Sequence, residues 1–297
     1  MDPRALFSSL PISLRAALLM MLAMTFFASM SVFIRMSAKE LDPLEVVFFR
    51  NFLALLFMLP WIARRGVGVM RTKRIGLYSI RALINIFGMA AGFTALTMIP
   101  LAEATALSFT TPLFVTIGAV LVFGEAIRAR RISALLIGFA GTLIVLRPGV
   151  EAISLGALLT IGNAVVIAVT TLIVKTLTKT ESPATIVAYM ALLQSPLALI
   201  PALFVWQWPT AETYVWLTLL AGAGTLGHIC WTRACSMVEL TQLQPLDFIR
   251  LPLVALAAFV MFAETPTIWT WIGGAVIFSS TAYITHREAM IARRKQS

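Results

Sequence analysis

Charged side chains are scarce in this 297-residue sequence: they make up 12% of it, whereas hydrophobic residues make up 60%. Soluble domains average about 45–50% apolar and about 25% charged residues. A soluble chain with this composition would expose a large apolar surface to water, so an ordinary soluble domain is excluded. The natural solvent for such a chain is lipid.

Acidic residues are scarcer than basic ones, 13 against 23, which gives a formal net charge of +10. This excess does not indicate a nucleic-acid partner, because the basic residues lie mainly in short gaps between apolar runs. If the N-terminus is cytoplasmic, fifteen Lys and Arg fall in inside segments and three, Arg35, Lys39 and Arg147, fall in outside loops. The positive-inside rule therefore places both termini in the cytoplasm.

Cysteine and histidine are almost absent, with two residues of each. Cys230 and Cys235 are five positions apart in an apolar run, which is neither a redox nor a zinc spacing. His228 and His286 lie in different segments with no paired acid nearby, and no phosphate-binding glycine loop occurs. We expect no metal site and no cofactor, and a membrane-embedded enzyme is disfavoured, as is a channel or passive scaffold. The first apolar run is too long for a cleavable signal peptide.

Apolar segments of membrane-spanning length are, by contrast, abundant. A spanning helix needs about 20 apolar residues. Ten candidates follow one another with short connections, and the fifth is the shortest: 14–34, 43–63, 75–98, 101–123, 132–147, 154–174, 183–205, 213–235, 243–263 and 268–286. The sequence therefore predicts an all-α, polytopic membrane protein with ten transmembrane helices in one bundle.

The two halves of the chain share a pattern. Phe123-Gly124-Glu125 and Phe262-Ala263-Glu264 each end an apolar run that starts at Pro-Leu, and each is followed by a loop and Ile-Gly. Five spans per half is an odd number, so the halves enter the membrane from opposite sides. We expect two inverted five-helix repeats, residues 1–150 and 151–297, with a substrate site near the midplane between them. A complete pair of repeats is consistent with a monomer.

Several motifs resemble those of the drug/metabolite transporter superfamily, and its ten-helix EamA type is the closest pattern. They are Phe49-Arg50-Asn51, Glu103-Ala104 with Pro112-Leu113, and Gly124-Glu125, whereas Ala263 departs from the glycine more usual there. The resemblance implies transport of small metabolites across the bacterial inner membrane. It frequently implies amino-acid export, as in bacterial aromatic-amino-acid exporters of the YddG kind.

Asp247 and Arg250 stand out within the ninth apolar segment. They are three residues apart, so on a helix their side chains share a face and can pair. A charge in the membrane is costly unless it is paired or faces water. Two interpretations remain compatible: a structural salt bridge, or a site in which Arg250 meets a substrate carboxylate while Asp247 holds it or binds an amine or proton.

Other polar residues lie within predicted spans and are candidates for lining a cavity. Tyr78, Arg81 and Asn85 form one stripe, with snorkelling to headgroups as the alternative. Gly88 and Gly92 of the same span form a G-x-x-x-G helix contact. The complete candidate set for the cavity is Arg50, Tyr78, Arg81, Asn85, Asn163, His228, Trp231, Gln244, Asp247 and Arg250.

Prolines occupy corresponding positions in the two halves. Pro112 and Pro252 each remove a backbone donor within a predicted span, which predicts a hinge or, alternatively, a static kink. The leading hypothesis is a secondary transporter or facilitator that works by alternating access on a small molecule, surrounded by membrane lipids. Asp247 is the one acid clearly deep in a span, so facilitated diffusion is slightly favoured over a proton-coupled multidrug or metabolite antiporter.

Overall fold

The chain folds into helices throughout the part that the structure, a computed structural model, describes. The described residues are 10–111, 113–115, 117–118, 129–146, 154–238 and 243–279. The helices are α1 (Ile12–Ser37), α2 (Pro43–Arg65), α3 (Ile75–Met98), α4 (Leu101–Ser108), α5 (Ala129–Leu146), α6 (Leu155–Leu177), α7 (Pro183–Ala202), α8 (Ala211–Met237), α9 (Arg250–Phe262) and α10 (Ile268–Ser279), with 3₁₀ turns at Val67–Met70 and Gln244–Ile249.

Each of the ten predicted spans contains one of these helices, which confirms the predicted fold class. Six of them, α1, α2, α3, α6, α7 and α8, are long and apolar enough to cross a membrane. The side chains of Phe87, Phe204 and Val260 are 68%, 86% and 71% exposed, as expected for residues that face lipid. The division into units 1–150 and 151–297 stays a prediction, because its boundary lies outside the described residues.

Local capping explains where the long helices begin. The Asp42 side chain accepts a hydrogen bond from the Leu44 amide at 2.9 Å, and that of Ser182 accepts one from the Thr185 amide at 3.1 Å. Pro43 and Pro183 follow these caps at the first helical position, where a missing N–H costs nothing. The second helix of each half thus starts with the same cap-proline pair.

The principal helix contacts join the two halves of the chain. α1 packs most extensively on α8, α3 on α6 and α2 on α7. Small residues permit the close approach: a Cβ at Gly92 would lie 2.4 Å from the Asn163 amide nitrogen, and one at Gly88 would lie 2.4 Å from Val166 Cγ1. The predicted packing role of Gly88 and Gly92 is thereby confirmed. Any cavity between these pairs is bounded by both halves.

The ninth predicted span is not one continuous α-helix. A 3₁₀ turn at Gln244–Ile249 leads into α9 at Arg250, and Pro252 lies in the first turn of α9. There its ring is tolerated, since the first amides of a helix have no intrahelical acceptor. Pro252 therefore follows a change of helix type instead of interrupting an α-helix, and its hinge role stays a prediction. Pro112 lies outside the described residues.

Candidate functional site

A cavity of about 230 Å³ lies between the two halves. Its walls come from α1, α2, α3, α6 and α8, from the segment that contains α4, and from the turn that leads into α9. Its polar lining consists of Ser31, Arg50, Arg81, Asn85, Ser108, Thr111, Asn163, Thr170, Thr171, His228, Asp247 and Arg250. Methionine and aromatic side chains supply much of the remainder.

Eight of the ten candidate residues line this single cavity: Arg50, Arg81, Asn85, Asn163, His228, Trp231, Asp247 and Arg250. They come from five separate parts of the chain, so the fold brings together what the sequence leaves far apart. Their part in binding stays a prediction. The side chain of Gln244, the ninth candidate, lies outside the described residues.

Tyr78, the tenth candidate, is not among the residues that line the cavity. Its ring is 2% exposed and stacks on Tyr189, with the ring centroids 4.4 Å apart. It belongs to an apolar cluster that includes Val174 and Ile186. The predicted stripe on α3 therefore divides, because Arg81 and Asn85 reach the cavity while Tyr78 packs against α7.

The sequence interpretation missed other polar residues of the lining, including Thr170 and Thr171 on α6. Thr170 follows Asn163 by two helical turns and so shares its face. That periodicity could have identified it. Ser108 has no comparable signal, because its role depends on a contact with a different part of the chain.

Asp247 and Arg250 do not form the predicted ion pair. Arg250 Nη2 donates to Ser108 Oγ at 2.6 Å, so its guanidinium is directed towards α4 and not back along its own segment. Within the described residues the one ion pair joins Arg35 to Glu264. Both Asp247 and Arg250 nevertheless line the cavity, where Asp247 is the single carboxylate among the described lining residues.

Arg50 and Arg81 are buried beside the cavity, with 1% and 5% of their surface exposed. Arg50 Nη1 donates to Asn51 Oδ1 at 2.9 Å, and Arg81 Nη2 makes a weak contact with Met190 Sδ at 3.4 Å. Within the part of the chain that the structure describes, the Nε of each arginine has no hydrogen-bond partner. Gly224 makes room for Arg50, since a Cβ there would lie 3.2 Å from the Arg50 Nε.

A separate polar network lies at the end of the bundle where α1, α3 and α9 finish. Arg35 Nε donates to the Leu96 carbonyl at 2.7 Å, and the same guanidinium contacts the Ile99 carbonyl and the Glu264 carboxylate. Glu264 also accepts a hydrogen bond from the Leu101 amide at 2.9 Å, at the start of α4. The network therefore ties the segment that follows α9 to three helices of the first half.

An equivalent cation lies at the other end of the bundle. Lys175 Nζ donates to the carbonyls of Cys235 at 2.9 Å and Val238 at 3.1 Å, where α8 ends. Counting back from Pro43 and Pro183, Arg35 and Lys175 occupy the same position in their halves. In each half, a cation from the first helix thus binds the last carbonyls of the third helix.

Comparison with known proteins gives the family. The EamA-like transporter family model matches the chain twice, over residues 14–147 and 154–286. The chain belongs to the EamA-like transporter family. It is accordingly a multi-pass membrane transporter of small molecules, and the predicted superfamily and two-repeat organisation are confirmed.

Relatives in this family include proteins named for riboflavin and for S-adenosylmethionine. A riboflavin transporter of Vibrio cholerae is 35% identical over 250 residues, which cover 82% of this chain and 83% of that one. An S-adenosylmethionine uptake transporter of Rickettsia bellii is 30% identical over 256 residues, covering 86% and 88%. The narrower resemblance to amino-acid exporters of the YddG kind is not supported by these relatives.

One solved crystal structure has the same fold. It superimposes with a TM-score of 0.66 at 20% identity, covering 95% of this EamA-family chain and 99% of that chain. At this identity the likeness concerns the fold alone.

Proposed function

We propose that this EamA-family protein transports a flavin-class metabolite such as riboflavin across the bacterial inner membrane. Transport proceeds by alternating access, with both termini in the cytoplasm and a monomer as the working unit. The observation that carries the proposal is a cavity that combines aromatic walls with many hydrogen-bond donors. The riboflavin transporter among its relatives supports the same substrate class.

The aromatic walls suit a flat heteroaromatic ring. Phe27 and His228 pack edge to face with their ring centroids 5.1 Å apart, and Trp231, Phe93 and Phe109 line the same cavity. Aromatic side chains bind ring systems by stacking and by edge-to-face contact, each worth about 0.5–1.5 kcal/mol beyond area burial. Methionines in the wall add polarizable, adaptable surface.

The donors suit a ring system rich in carbonyl oxygens and hydroxyl groups. Each guanidinium offers five N–H donors and no acceptor, and three of them line the cavity beside the amides of Asn85 and Asn163. The same charge disfavours a sulfonium cation such as that of S-adenosylmethionine, because only one carboxylate faces three guanidiniums among the described lining residues. A flavin carries no positive charge, with or without a phosphate group, and avoids this repulsion.

Aromatic amino acids are a second candidate for the substrate, and for them the proposed direction of transport is export. The observation in its favour is Arg250, which is held at the cavity wall by Ser108 and could receive a carboxylate while Trp231 contacts the ring. Energy coupling has two alternatives as well. Facilitated diffusion needs no titrating group, whereas proton antiport would use Asp247.

The test is counterflow in proteoliposomes, loaded in turn with riboflavin, S-adenosylmethionine and phenylalanine, with and without a pH gradient. We expect saturable riboflavin exchange that is accelerated by riboflavin inside the vesicles and is insensitive to the gradient. Trp231→Ala should lower it, whereas Trp208→Ala, 76% exposed and away from the cavity, should not.

Two other outcomes would redirect the proposal. Exchange of phenylalanine without riboflavin would transfer it to amino acids. Acceleration by the gradient that disappears in Asp247→Asn would establish proton coupling.

A further inference from the structure

We infer that Arg50 and Arg81 form an oxyanion subsite in the cavity, which receives a carboxylate or a phosphate group of the transported molecule. The inference rests on the proposed function only in taking this cavity as the transport site. It adds that the transported molecule carries an anionic group, a property that membership of the family does not specify.

The first argument is electrostatic. Removing an ion from water costs several kcal/mol even after the protein relaxes, unless a counter-charge or several hydrogen bonds compensate. Arg50 and Arg81 are almost fully buried, and their hydrogen-bond partners among the described residues are an amide oxygen and a thioether sulfur. Among the described residues, each guanidinium thus has one contact for its five N–H donors and a buried Nε without a partner, and both guanidiniums border an open cavity.

The second argument comes from the other repeat. Counted from the proline that starts each helix, Arg50 of α2 corresponds to Met190 of α7. Counted back from the last residue of each helix, Arg81 of α3 corresponds to Leu220 of α8. Met190 is 2% exposed and Leu220 is 0% exposed, so the same helix positions pack well with apolar side chains. The fold itself does not require a cation at either position.

The third argument is that the described residues of the lining supply too little negative charge. Among the described lining residues, the charged groups that accompany Arg50 and Arg81 are Asp247 and Arg250, and His228 is the other titratable group. A single carboxylate cannot neutralise three guanidiniums, even if it served all of them. An oxyanion of the ligand supplies the missing charge, and carboxylate and phosphate both accept paired N–H bonds from arginine.

The experiment compares ligands that differ only in the anionic group, bound to the purified full chain in lipid nanodiscs. Riboflavin and riboflavin 5′-phosphate form the phosphate pair; phenethylamine and phenylalanine form the carboxylate pair. We expect the wild-type protein to bind the anionic member of one pair at least tenfold more tightly, and that pair identifies the source of the oxyanion.

Two variants test which side chains cause this preference; each replaces an arginine by the residue at the equivalent position of the other half. In Arg50→Met and in Arg81→Leu the preference should fall to less than threefold while binding of the pair's other member, which lacks the anionic group, persists. Arg233→Met, an exposed cation on α8, is the matched control and should keep the preference. No anionic preference in the wild-type protein, or a preference retained in both folded variants, would overturn the subsite.

Inorganic phosphate gives a readout that does not depend on the ring ligand or on a folded variant. We expect added phosphate to raise the melting temperature of the wild-type protein more than sodium chloride at equal ionic strength does. It should do so less in whichever of Arg50→Met and Arg81→Leu folds. If no flavin and no amino acid binds but this phosphate effect is present, the proposed function fails while the subsite stands. If phosphate has no effect on the wild-type protein, the result argues against the subsite.

Discussion

Glu264 offers the sharpest test of how the two halves are held together. In Glu264→Gln the amide oxygen can still accept from the Leu101 amide, but Arg35 loses its anionic partner. Removing one partner of a buried pair costs about 3–5 kcal/mol, whereas exposed pairs are worth about 0–1 kcal/mol. The two side chains are 13% and 24% exposed, so we expect an intermediate loss of about 1–3 kcal/mol.

A double-mutant cycle isolates this interaction. Unfolding free energies of Arg35→Met, Glu264→Gln and the double variant are measured by denaturant titration in detergent micelles. We expect a coupling energy of about 1–3 kcal/mol, since the second substitution finds the pair already broken. Glu212→Gln at the start of α8, whose exposed carboxylate contacts the half-buried Trp216 indole, should change stability by less than about 0.5 kcal/mol.

The result that would refute this reasoning is additivity. If the two single losses sum to the double loss within about 0.5 kcal/mol, the ion pair contributes nothing beyond its separate groups. The loss in Arg35→Met would then come from the Leu96 and Ile99 carbonyls alone.

Three further predictions concern contacts elsewhere in the bundle. Gly92→Ala should lower stability by about 1–3 kcal/mol, because the new Cβ would lie 2.4 Å from the Asn163 amide, whereas Gly162→Ala meets nothing within 4 Å and should be neutral or slightly stabilising in the same melting assay. Glu40 accepts hydrogen bonds from threonines at the start of α8, which lower its pKa, so it stabilises the fold above its unfolded pKa and stops doing so as pH falls through the folded value. Acidification should therefore destabilise the wild-type protein more than Glu40→Gln. Lys175→Met should lower the unfolding free energy by about 1.5–3 kcal/mol, through two lost carbonyl contacts, and unchanged stability would argue against that role.

The helices could be predicted from the sequence because two local signals agree. Apolar length gives the number of spans, and the Asp42-Pro43 and Ser182-Pro183 pairs fix where the second helix of each half begins. For residues 243–263, the length of the apolar run alone predicted one continuous helix, which was wrong. The segment divides into a 3₁₀ turn and an α-helix at Arg250, and hydropathy does not distinguish these two geometries.

Part of the site could be predicted from the sequence, because polar side chains are costly within a membrane span. A polar side chain inside an apolar span must face protein or water, so the position of Arg50 or Asn163 in the sequence is informative. Which partner each side chain takes is decided by other helices. Arg250 therefore contacts Ser108 and not Asp247, and Arg35, which the hydropathy pattern assigned to a loop, binds Glu264.

The contacts of Arg35 and Lys175 indicate what the two halves must have in common. Each cation arises at the same position of its repeat and donates to the last carbonyls of the third helix of that repeat. Those carbonyls have no intrahelical donor, and within a membrane bundle an unsatisfied carbonyl is expensive. Each repeat faces this requirement, and each meets it with the same contact although the residue type differs.

In the cavity, by contrast, equivalent positions of the two halves carry side chains of different charge. Arg50 and Met190 are equivalent in position, as are Arg81 and Leu220, yet each pair places a cation in one half and an apolar side chain in the other. Since both members of each pair are buried in equally well-formed helices, packing does not dictate the difference. A buried charge lowers stability where nothing balances it. This difference is what the proposed oxyanion subsite predicts, because a ligand that balances Arg50 and Arg81 should carry negative charge.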